Sequence, residues 1–148
     1  MTFLVPFDGS DLSVAALERA AEFAGYAGED LIALTVIPDD PEYARGRGWV
    51  RSDEPFAPDR VAAGIEGTVA EIAPDAAFRA EVAQNTDPVA TTAMDVTRTI
   101  RQVAAEVGAS VLFVGSENAG RVSTPLTSVG SPISEDPEYD VFIVRHAD

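Results

Sequence analysis

The 148 residues carry 25 acidic against 10 basic side chains, a formal charge of −15, and every basic residue is Arg because the chain contains no Lys. So acidic a surface repels nucleic acid and anionic membrane, which proteins bind by neutralising phosphates with Lys and Arg. The lack of cysteine removes disulfides, thiolate nucleophiles and sulfur ligands for metals, and the length suits one domain, 1–148, with a full hydrophobic core.

Phe3 to Phe7 is a short apolar run of strand composition that stops at "DGS", a turn signal that also supplies helix caps. From Asp11 the residues Leu12, Ala16, Ala20, Phe23 and Ala24 recur at helical spacing until Gly25 and Gly28 break the pattern. "LIALTVI", Leu31 to Ile37, is apolar nearly throughout and predicts a strand covered on both faces, which completes a βαβ unit. Pro38 to Pro58, polar and interrupted by proline and glycine, predicts a long mobile loop. Val61, Ile65, Val69 and Ile72 predict a helix despite Gly64 and Gly67, and Ala77 to Val82 a strand. The stripe Val96, Ile100, Val103, Ala104 and Val107 predicts a helix ending at Gly108, followed by strands at Ser110 to Gly115 and Asp140 to Arg145. Alternating strands and helices predict an open α/β layer with right-handed crossovers, which binds ligands where the strand order reverses. The loops "FDGS" and "GSENAG" both emerge there.

The glycines of "VLFVGSENAGRVSTPLTSVGSPI" fit neither standard nucleotide motif. G-x-G-x-x-G is absent, and Gly115 and Gly120 are followed by Arg121 and Val122 where a P-loop requires Lys and Ser or Thr. A haloacid dehalogenase-like reading of "FDGS" fails because its nucleophilic Asp would stand at Pro6.

On the residues "VPFDGS", "SVAAL", "ALTVI" and "GASVLFVGS" the chain resembles the universal stress protein family over nearly all of its length. That family's motif is G-x-x-G, nine residues, then G-[ST]; here Gly120 is followed by nine residues and then Gly130 and Ser131. The first half departs: three residues before Gly120 stands Glu117, and if Gly115 is the first glycine the second falls on Asn118. A turn at either alignment is permitted by Asn as well as Gly. After Ser131, Pro132 removes a backbone donor, and Glu135 and Asp136 occupy the first turn of a short helix that Pro137 ends.

The resemblance implies an adenine nucleotide α-hydrolase-like fold, a five-stranded parallel open sheet in the order 3-2-1-4-5 with helices on both faces. It implies ATP or another adenine nucleotide such as AMP as ligand, with Mg2+ accompanying it, contacted by Pro6, Asp8, Val36, Gly115, Asn118, Gly120, Gly130 and Ser131. Asp8 would face the nucleoside, Val36 would offer backbone to the base, and the glycine region would receive phosphate. The last strand, Val141 to Val144, would pair two copies into a homodimer. The spread of acidic charge adds a halophilic, salt-requiring character.

Other readings of the same residues stand beside these. Asp8 can open a turn and cap the first helix, the glycines can merely turn the chain, and Arg45, Arg47 and Arg51 with Trp49 can solvate a loop or fold over a ligand. His146 reads as an exposed tail residue. No nucleophile, general base or metal-ligand set drives fast hydrolysis, so the chain reads as a stress-response binding module with at most slow ATP hydrolysis. The alternative is a family member without nucleotide binding that acts through dimerisation and partner contacts. No basic leader segment and no apolar run near the ~20 residues of a membrane span is present, which places the expectation in the cytoplasm, with neither membrane nor nucleic acid as partner.

Overall fold

In chain order the elements are β1 (Thr2–Pro6), α1 (Asp11–Ala27), β2 (Asp30–Pro38), α2 (Pro41–Gly46), α3 (Pro58–Ile72), β3 (Ala77–Ala83), α4 (Thr92–Val107), β4 (Ala109–Gly115), α5 (Ser116–Ser123), the two-residue β5 (Leu126–Thr127) and β6 (Ser134–Glu135), and β7 (Asp140–Val144). This computed structural model describes residues 1–84, 89, 91–123, 126, 127, 134, 135 and 138–147.

Strand side chains alternate between faces, and here each face meets a different pair of helices. Phe3, Val5 and Phe7 pack with Leu17 and Ala20 of α1 and with Val61, Ile65 and Val69 of α3. Leu4 packs on the opposite face with Leu34, Val36, Ile100, Val103 and Val122, under α4 and α5. That two-sided burial is why β1 and β2 read as near-continuous apolar runs, and why Gly64 and Gly67 do not interrupt α3, whose apolar stripe is held by the sheet.

The main sheet is parallel, in the order β3-β2-β1-β4-β7, which is 3-2-1-4-5 once the small β5-β6 pair is set aside. Pro6 lies opposite Leu34, Leu4 opposite Leu112 and Gly115 opposite Val144. The chain runs outward from β1 through β2 to β3, then crosses back to β4 and β7. Its topological switch point therefore lies beyond the carboxyl ends of β1 and β4. No helix among the described residues is long and apolar enough to cross a membrane.

Three expectations are corrected. The segment Pro38 to Pro58 is not loop throughout: β2 runs to Pro38, and α2 follows because Asp40 caps it, its Oδ1 accepting from the backbone N–H of Glu42 (3.1 Å) and Tyr43 (3.4 Å), with Pro41 in the first turn. The "GSENAG" loop is the start of α5, whose Ala119 and Val122 are buried three residues apart on one helical face. Its end is fixed by Tyr139, whose hydroxyl donates to the Val122 carbonyl at 2.6 Å. Finally, Glu135 lies in β6, antiparallel to β5, and not in a helix. Gly130, Ser131, Pro132 and Asp136 lie outside the described residues.

Candidate functional site at the sheet switch point

The loop after β1 is tied down on every side. The N–H of Phe7 donates to the Leu34 carbonyl at 2.7 Å, and the buried Thr35 hydroxyl donates to the Phe7 carbonyl at 2.8 Å. Gly9 turns the chain at φ 86°, a region that L side chains rarely adopt. Ser10, not Asp8, caps α1: its Oγ accepts from the Ser13 N–H at 3.3 Å. Asp8 instead accepts from the Ser10 N–H through Oδ1 at 2.9 Å, an Asx turn that aims the other carboxylate oxygen outward.

That second oxygen meets Arg47. Its guanidinium Nη1 donates to Asp8 Oδ2 at 2.9 Å across 39 residues of sequence, and the Trp49 indole N–H donates to the Asp8 carbonyl at 3.0 Å. The Arg47 guanidinium also lies 4.8 Å from the centre of the Tyr43 ring, which meets the Trp49 ring edge-on at 5.7 Å. Residues 41–51 thus form a strap that arches from the end of β2 back to the β1 loop. Of the arginine cluster, Arg47 lines the cavity beneath the strap, whereas Arg51 does not and pairs with Glu54. Burial pushes the Asp8 carboxyl up, but the bonds from Ser10, followed by the charge of Arg47, outweigh it and hold it below the usual carboxylate range. Asp8 stays ionised at neutral pH.

A cavity of about 80 Å³ opens at the switch point beneath this strap. It brings together five of the residues expected there: Pro6 and Asp8 after β1, Val36 from β2, Gly115 at the end of β4 and Asn118 from α5. Gly120 lies in the interior of α5 and does not line the cavity. Gly115 is explained by packing: a Cβ there would stand 2.8 Å from the Cβ of Leu12, so glycine is what lets the first turn of α1 close on β4. No non-glycine residue among those described has positive φ, so Asn118 does not form the turn considered for it but is helical.

The sequence reading missed Tyr43 and Glu117 as lining residues, together with Thr97 of α4 and Arg121 of α5. A signal for Tyr43 was present in "DDPEY", an Asp N-cap followed by Pro, and Tyr43 and Arg47 are four apart on that short turn. Glu117 stands in the first turn of α5, where its carboxylate complements the helix dipole. Among the described residues no group of three or more His, Cys, Asp or Glu could hold a metal.

A doubly wound parallel sheet with its cavity at the switch point defines an open α/β protein of the adenine nucleotide α-hydrolase-like fold. The chain matches the model of the universal stress protein family over residues 1–145, and it belongs to that family. No curated protein matches it. Among solved structures it is similar to a universal stress protein in complex with cAMP, at 23% identity over 100% of this chain and 98% of that one, TM-score 0.53. It is similar also to the universal stress protein UspA from Lactobacillus plantarum, at 18% identity over 98% and 97% of the two chains, TM-score 0.57. A universal stress protein from Archaeoglobus fulgidus in complex with dAMP shares 15% identity over 97% and 96%, TM-score 0.56. These likenesses carry the fold.

Proposed function

We propose that this universal stress protein is a binding module for an adenine nucleotide, held between the β1 loop and the start of α5. One observation carries the reading: the cavity gathers Pro6, Asp8, Val36, Gly115 and Asn118 from three separate chain segments at the point where open α/β sheets bind ligands. Two relatives of the same fold were crystallised with cAMP and dAMP, which supports an adenine nucleotide as the ligand class. Asp8 orients the nucleoside and the first turn of α5 faces its phosphate. No resident metal is fitted by the described residues, so we assign any Mg2+ to the phosphates themselves. We place the protein in the cytoplasm.

The direct experiment is to purify the protein in molar salt, denature it and identify the released nucleotide by mass spectrometry, then to titrate AMP and ATP calorimetrically into wild type and Asp8→Ala. Asp8→Ala removes a charged acceptor and weakens AMP by about tenfold or more. Equal affinities in the two proteins would refute the role given to Asp8. A second reading, a module that binds no nucleotide and acts through partners, is favoured by Glu117, which sets a carboxylate on the cavity wall where a phosphate would lie. A protein that is empty as purified and silent to both nucleotides would establish it.

For assembly we propose a homodimer through β7. It is the outer strand of the sheet next to β4, and Val141, Phe142, Ile143 and Val144 give it an apolar edge with Ile143 exposed. Light scattering behind size exclusion is expected to report twice the 15.6 kDa chain mass. Ile143→Lys should shift that mass toward the monomer; a monomeric wild type would overturn the assignment.

A further inference from the structure

We infer that Arg47 makes this pocket selective for phosphorylated nucleosides over neutral ones. The inference rests on the adenine nucleotide reading above. It starts from charge: the chain carries −15, and the cavity wall sets two carboxylates, Asp8 and Glu117, beside two guanidinium groups, Arg47 and Arg121. A phosphate entering beside those carboxylates needs a counter-charge, and Arg47, which reaches over the cavity to bond Asp8, is placed to supply one.

The strap is anchored to Asp8 twice, and the two anchors differ in kind. The Trp49 indole bonds the backbone carbonyl, a neutral contact that leaves the carboxylate free. Arg47 bonds the carboxylate itself, with its side chain 39% exposed and that of Asp8 21% exposed. Solvent reaches the arginine side of this pair and screens it, so the pair contributes only modestly to stability. The contact is made through Nη1, while the guanidinium offers five N–H donors in a fixed fork that matches a phosphate in two-pronged geometry. The Tyr43 ring beneath the guanidinium and the capped start of α2 keep the arginine over the cavity while it changes partner.

The exchange is favourable only for an anionic ligand. When phosphate takes the guanidinium, the Asp8 carboxylate is released to accept from ribose hydroxyls, and the pair Asp8 and Arg47 serves both ends of one nucleotide. A neutral nucleoside gives Arg47 nothing in return and must share Asp8 with it. Discrimination thus involves a residue of the strap.

The test is calorimetric titration of adenosine and of AMP into wild type, Arg47→Ala and Arg47→Gln. Gln keeps a donor and part of the stem without the charge. Wild type is expected to bind AMP at least about tenfold more tightly than adenosine, and both variants to cut that ratio severalfold by weakening AMP while adenosine stays within about twofold or tightens. The effect on AMP should shrink between about 0.2 M and about 2 M KCl, because added salt screens the guanidinium's attraction for phosphate. Thermal unfolding of each variant confirms that the folded protein is being titrated. Equal weakening of adenosine and AMP would reduce Arg47 to a structural tie of the strap and overturn the inference while leaving the nucleotide reading intact. Unchanged affinities would also overturn it. A wild type that binds neither ligand would overturn both.

Discussion

Gly115→Ala is expected to lower the stability of the protein by roughly 1–3 kcal/mol, the range for forcing extra volume into a packed site. For a chain of this size that corresponds to a fall in melting temperature of about 2–4 °C per kcal/mol. The new Cβ would stand 2.8 Å from the Leu12 Cβ, an atom fixed to the backbone of α1 and unable to rotate away. Leu12→Ala keeps that Cβ and does not rescue the variant. Relief requires the first turn of α1 to move off β4, which also displaces Ser10 and Ser13 from the cavity wall. Gly120→Ala is the matched comparison. It lies within α5, an added Cβ there meets nothing within 4 Å, and replacing a helical glycine with Ala stabilises by about 0.5–1 kcal/mol. Differential scanning calorimetry of the two variants separates glycines that look equivalent in the sequence. A silent Gly115→Ala would show that α1 does not approach β4 as described.

Lowering the salt is expected to have the other large effect. With 25 acidic and 10 basic groups on one small domain, the folded state confines repulsion that the unfolded chain relieves by expanding. The Debye length falls from about 10 Å at 0.1 M to about 3 Å at 1 M, so repulsion between neighbouring carboxylates is largely removed over that range. The melting temperature should climb by at least about 5 °C between these concentrations, equivalent to roughly 2 kcal/mol. The climb should then flatten, because screening saturates once the Debye length is shorter than the spacing of the charges. Sucrose separates this from general solvent exclusion, since it raises burial without screening. A melting curve that responds equally to sucrose and to KCl, or to neither, would rule out charge repulsion as the limiting term.

The apolar stripe Val96 to Val107 and the run Leu31 to Ile37 determine α4 and β2 wherever they stand, because their period and two-sided burial are local properties of the chain. The order of the strands came from a family resemblance carried by "VPFDGS" and "GASVLFVGS", whereas periodicity by itself leaves the order open. Asp8 and Val36 were expected at the site from the family resemblance, and both line the cavity. Helices α2 and α5 were not legible. At six and eight residues they are too short to persist on propensity alone, and they exist through an Asp40 cap, a buried Ala119 and a Tyr139 hydroxyl supplied by distant sequence. The reason for Gly115 was equally hidden, since it lies in a contact with Leu12, about a hundred positions earlier in the chain. So was the pairing of Arg47 with Asp8, which joins two loops 39 residues apart. The sequence by itself determined the strands of the main sheet, the three long helices and the charge. Only the tertiary structure decided which glycine packs, which arginine faces the cavity and what closes over it, because those are set by contacts between segments whose separation local periodicity does not encode.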